Sequence, residues 1–235
     1  MSFQPSQQPK SRAPFILVGV GVVVAVIAAF TLLKSDDGAT NAATSTSAGT
    51  PSSSTVAGPQ LSGGEPVITA PVTISGDALP PVPESGADPA TGKAFPNLSG
   101  VTVRDGAPLT VAANGKPAVI IFVAHWCPHC QKEIPRLAGW LADNGAPADV
   151  SLFAVSTAVA EERGNFPPAA WLENEGWEVP TLADDQQGSA FEAAGLRNFP
   201  AFVVINAEGN VVQRSSGELS TDQFEALLDR ARAGR

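Results

Sequence analysis

The chain's two cysteines, Cys127 and Cys130, stand in C-x-x-C spacing directly behind a short apolar run, and this junction constrains the fold more than any other feature. Pro117 to Val123 (Pro-Ala-Val-Ile-Ile-Phe-Val) is rich in β-branched residues and has no polar interruption, the pattern of a strand buried on both faces. Behind it, Pro128 suits a first helical turn, where its missing N–H costs nothing. Ile134, Leu137, Ala138 and Leu141 then recur at i, i+3, i+4 and i+7. Cys127 is therefore expected exposed at a strand-to-helix junction, where unpaired N–H groups and the positive end of the helix dipole favour a thiolate. Cys130, one turn further in, is expected to be more buried and to release a mixed disulfide as the resolving thiol.

Ahead of this region the chain changes character several times. Residues 1–14 form a short Gln/Ser/Pro-rich tail with Lys10 and Arg12 and no acid. Phe15 to Leu33 is free of charge and rich in Val, Ile, Leu, Ala and Gly, long enough for a transmembrane helix across about 30 Å of hydrocarbon. A cleaved signal peptide is the alternative, but such apolar segments usually run to about 7–15 residues and no clear small-x-small site closes this one. Basic residues before the span and Asp36 and Asp37 after Lys34 place the N-terminus in the cytoplasm, with the catalytic region extracytoplasmic, on the oxidising side of the cell membrane. Residues 34–66 carry almost no large apolar side chain and read as a flexible Ser/Thr/Ala/Pro-rich linker. Residues 67–91 read as an extended, Pro-rich segment docking on the folded domain at 92–235.

Composition narrows the function classes. Fourteen Lys and Arg against 23 Asp and Glu give a net charge of -9, which argues against nucleic acid as a partner. Two cysteines exclude a multi-bridge framework, so the pair is either chemistry or a small staple. His125, Cys127, His129 and Cys130 together could suggest a metal carrier, but successive residues at a strand end and a helix start point in different directions. The chain has no further histidine, so no metal is assigned.

Several motifs occur in order along the chain: Trp126-Cys127-Pro128-His129-Cys130, Pro135, Val179-Pro180-Thr181-Leu182-Ala183-Asp184, and Phe199-Pro200-Ala201-Phe202-Val203-Val204-Ile205 with Glu208-Gly209-Asn210 behind it. On these the sequence from about Gly92 onward resembles membrane-anchored, thioredoxin-like thiol-disulfide oxidoreductases of the TlpA/ResA type. That implies an α/β fold, a central mixed sheet flanked by helices, acting on protein thiols and disulfides with a membrane redox partner. No cofactor is implied beyond the redox-active pair itself. The Pro-His dipeptide resembles instead the active site of DsbA-type oxidases, so the two resemblances differ on the direction of electron flow. An imidazole at His129 would stabilise a Cys127 thiolate, and a solvated helix residue is the plainer reading.

The resemblance further implies a cis Pro200 opposite Cys127, with the Phe199 backbone free to pair with a substrate strand. Phe199 replaces the small or β-branched residue common there. It also implies that Glu133 moves protons near Cys130, where a solvated face charge is the alternative. Trp126 and Pro128, beside the nucleophile, complete the expected substrate contacts, with core filling the duller reading for Trp126. A binding or scaffold domain with a structural disulfide is the rival function.

The remaining elements read as strands at 101–104 and 109–112 around Asp105-Gly106, a buried strand at 150–156, a proline-started helix at 168–176 and a short helix at 189–194. A hairpin at 201–205 and 211–213 and a closing helix at 221–233 capped by Ser220 complete the order.

Overall fold

A computed structural model of the protein describes residues 64–234. The tail, the apolar run at 15–33 and all but the last three residues of the linker lie outside them. Among the described residues no helix is long and apolar enough to cross a membrane.

Five strands form the central sheet, in the order β6 (Thr181–Ala183), β5 (Ser151–Ser156), β4 (Ala118–Val123), β7 (Ala201–Ile205) and β8 (Val211–Ser216). β4 runs parallel to β5 and antiparallel to β7, so the sheet is mixed. All six residues of β4 are buried, and their alternation divides the core. Val119, Ile121 and Val123 face one cluster, which is packed by α1 (Cys130–Asn144), α2 (Pro168–Asn174) and α4 (Thr221–Ala233). Ala118, Ile120 and Phe122 face the other, shared with α3 (Ser189–Ala193) and a second sheet. A side-chain period of two thus turns an unbroken apolar run into a strand that joins two core layers.

The second sheet is a three-stranded antiparallel meander of β1 (Thr73–Ser75), β2 (Asn97–Val101) and β3 (Pro108–Val111). Here the structure corrects the expected strand at 101–104. Leu98 is the buried anchor of β2, and Thr102 already begins the turn, its hydroxyl on Asp105 and its N–H on the Ala107 carbonyl. Val103, whose β-branched neighbours suggested a strand, instead donates its N–H to Thr181 and caps the open edge of β6. Gly100 marks the close approach that the hydrophobic pattern does not show: a Cβ there would stand 3.2 Å from Leu182.

The Pro-rich segment is built further into the fold than an extended docking strip. Thr73 to Ser75 pair with β2, and Leu79 and Ala90 are buried in the second core cluster. Leu79 and Val82 donate their N–H groups to Ala193 and Gly195, and Gly195, at φ +64°, leaves only 2.5 Å between a Cβ and the Pro80 carbonyl. The side chain of Arg214 on β8 is fully buried, giving Nε at 2.9 Å and a second N–H to Asp88, and a third N–H to the Ala194 carbonyl at 2.7 Å. The Arg214 hydrogen bonds hold the Asp88 carboxyl below its ordinary value.

Removing one partner of such a pair strands a buried charge. Asp88→Ala is expected to lower unfolding free energy by about 3 kcal/mol in urea titration at pH 7. A loss below about 1 kcal/mol would show that the pair does not fasten the segment.

Candidate active site

β4 delivers the chain to the site. After Val123, Cys127 closes a turn with its N–H on Ala124, and its carbonyl accepts from Gln131, so helical bonding begins before α1 proper. Ile134 and Leu137 root α1 in the core, fixing both cysteines relative to the sheet. Cys127 is 6% accessible rather than exposed, a correction to the sequence expectation, and Cys130 is fully buried. Burial comes from the surrounding core and from β7: Ala201 continues the chain from Phe199-Pro200, whose peptide bond is cis, and the Cys127 thiol points to the Phe199 carbonyl at 3.8 Å. Both cysteines are free thiols here. Burial is the main cause that pushes the Cys130 thiol far above its ordinary value, with Cys127 and Glu133 adding to it.

Glu133 is not a solvated face charge. It is fully buried, with Oε2 accepting from Arg136 at 2.7 Å and from the Leu219 N–H at 2.9 Å, while Oε1 has no protein partner. Burial raises its carboxyl above the ordinary value, against the lowering effects of Leu219 and Arg136. His129 and Pro128 are exposed, and the His129 Nδ1 meets Glu218 Oε1 at 2.6 Å. Glu218 also receives Lys132 at 3.4 Å and Arg136 at 3.3 Å. Arg136, Glu218 and Leu219 escaped the sequence reading because their role depends on the β8–α4 turn reaching α1 from a distant part of the chain. Only Ser220, whose hydroxyl caps the N–H of Gln223 while the Gln223 side chain returns to its backbone, left a local signal.

On the other flank, the Trp126 indole donates to the Ala158 carbonyl at 2.7 Å, lies edge-on to Phe199 and carries Arg163 4.4 Å above its ring. Phe199 in turn stacks on Phe191, 4.5 Å between centroids. His125 is buried as a latch for the same loop: Nε2 accepts from the Ala160 N–H, so Nδ1 carries the proton given to the Gly164 carbonyl at 2.7 Å. Both ring nitrogens are thereby engaged. Among the described residues no group of three His, Cys, Asp or Glu side chains is placed to share a metal ion.

A mixed five-stranded sheet with helices on its faces, and paired thiols at the junction of its central strand with a helix, places the molecule in the thioredoxin-like class. The chain belongs to the Redoxin family, whose model matches residues 90–229, and its activity is that of a thiol-disulfide oxidoreductase. A Chlorobium tepidum protein named for thiol:disulfide interchange, DsbE, shares the fold at TM-score 0.50 and 21% identity, over 61% of this chain and 96% of that one. Also similar are a secreted Mycobacterium tuberculosis disulfide oxidoreductase (25% identity, 57% and 94% of the two chains, TM-score 0.46) and Mycobacterium tuberculosis DsbF (28%, 58% and 94%, 0.45).

The raised Glu133 carboxyl has a signed consequence. The folded state holds this proton above the ordinary value of 4.5, so the group's contribution to stability is largest below that pH and falls as pH rises towards the folded value. Urea titrations between pH 4 and 7 are therefore expected to show native stability declining relative to Glu133→Gln as pH rises. Parallel curves would contradict the burial of an ionisable group there.

Proposed function

We propose that this enzyme is held in the cell membrane by residues 15–33 and exchanges disulfides with extracytoplasmic proteins through Cys127 and Cys130. The observation that carries the reading is the asymmetry of the pair. Cys127 keeps a trace of accessible surface beside the Phe199 carbonyl, whereas Cys130 has none. A substrate sulfur can therefore reach only the first.

In the reductive direction the Cys127 thiolate attacks a substrate disulfide, forming an intermolecular S–S bond and expelling one substrate sulfur as a thiolate. Cys130 then loses its proton and attacks Cys127 Sγ. The intramolecular disulfide forms, the second substrate sulfur leaves, and two electrons have passed to the substrate. Run backwards, the same steps donate a disulfide. Because burial opposes ionisation of Cys130, a nearby proton acceptor lowers the barrier to the second step, and Glu133 with its unpartnered Oε1 takes that role. Pro200 closes the site opposite Cys127, and the Phe199 main chain pairs with an extended substrate segment while Trp126 and Pro128 flank it. The Cys127–Cys130 disulfide is the only redox group needed, and a membrane redox partner resets it.

In the full-length chain, Cys130→Ser is expected to accumulate covalent mixed disulfides with cell-envelope proteins, visible on non-reducing gels and lost on reduction, whereas Cys127→Ser accumulates none. Equal trapping by both variants, or trapping through Cys130 alone, would overturn the assignment.

A further inference from the structure

An imidazole and two cationic side chains on α1 and at its start converge on one carboxylate. Glu218, in the turn between β8 and α4, takes His129 Nδ1 and Lys132 Nζ on Oε1 and Arg136 on Oε2. The turn itself is fixed. The next residue, Leu219, gives its N–H to buried Glu133, and Ser220 closes the capping box of α4. Glu218 therefore stands on a built platform with its side chain 26% accessible, and His129, Phe199 and Glu218 line one open concavity beside the nucleophile.

An imidazole between two such cysteines stabilises the Cys127 thiolate by its charge or by a donated hydrogen bond, which favours the dithiol and makes the disulfide a stronger oxidant. Here the ring's Nδ1 proton is committed elsewhere. A carboxylate 2.6 Å away accepts it and sets a negative charge against whatever positive charge the ring carries. The two cations do not substitute for the ring: Arg136 is already countered by Glu133, and Lys132, 63% accessible, is screened by solvent.

We propose that Glu218 is a positioning residue that turns the His129 imidazole away from Cys127 and offsets its charge, making the Cys-Pro-His-Cys pair a weaker disulfide donor than its dipeptide alone dictates. The inference rests on the thiol-disulfide reading of the site and deepens it. It assigns the setting of the redox equilibrium to a residue far beyond the cysteine pair in the chain.

The test equilibrates the full-length chain with reduced and oxidised glutathione and quantifies the dithiol fraction by thiol alkylation and mass. Glu218→Gln is expected to shift the equilibrium towards dithiol by threefold to tenfold, tenfold being about 30 mV for a two-electron couple. Glu218→Asp, which keeps the charge but withdraws it from the ring, is expected to shift it less, and supplies a second reading if the glutamine variant folds poorly. In a His129→Ala background the Glu218→Gln shift is expected to fall below twofold. An unchanged or more reducing Glu218→Gln, or an equal shift without His129, would overturn the proposal. A native pair that does not exchange with glutathione at all would instead overturn the underlying oxidoreductase reading.

Discussion

The double pairing of β4 is the constraint on which the remainder of the molecule depends. Its neighbours β5 and β7 occupy both edges, its side chains fill both core layers, and every residue in it is buried. The turn that leaves β4 at Val123 starts from that doubly paired strand. Cys127 is held against the Phe199-Pro200 corner because β4 and β7 are in fixed antiparallel register, with Phe122 opposite Ala201. A reactive sulfur placed by a loop alone would lack this positional precision, and proximity contributes to catalysis only when it is maintained.

Around that fixed point the protein sets a deliberate contrast in polarity. Cys130 and Glu133 are buried on the inner side of α1, where burial opposes charge on each. His129 and Lys132 look outward, and Arg136 connects the two sides, with one N–H on Glu133 and another on Glu218. The ion pairs form a chain from solvent to buried Glu133, anchored by backbone groups of the β8–α4 turn. Pairing of this kind adds little stability where it is exposed.

The sequence made the centre of the fold legible and its margins much less so. The apolar run before Cys127, the i, i+3, i+4 spacing in α1 and the Ser220 cap are local signals, and each corresponds to an observed element. The strand expected at 101–104 failed because only Val101, the last residue of β2, stays in the ladder, while Thr102 begins a turn and Val103 serves a sheet edge, and propensity cannot tell these from a ladder. Cys127 was expected to be exposed, since the approach of Phe199 from β7 is not encoded near it. Glu133 was singled out by the family resemblance and by no local pattern; its burial depends on Leu219 arriving from the far end of the chain. The partners of His129 were hidden for the same reason, whereas the motif order around Phe199-Pro200 carried the family resemblance without any geometry.

The central claim is that Cys127 is the thiol offered to partners and Cys130 is withheld until Cys127 has reacted. Brief alkylation of the reduced, folded full-length chain, with peptide mapping afterwards, tests this most directly. The account predicts that label enters at Cys127 first, with Cys130 protected until the chain is unfolded by denaturant. Label appearing at Cys130 as fast as at Cys127 in the folded chain would contradict it.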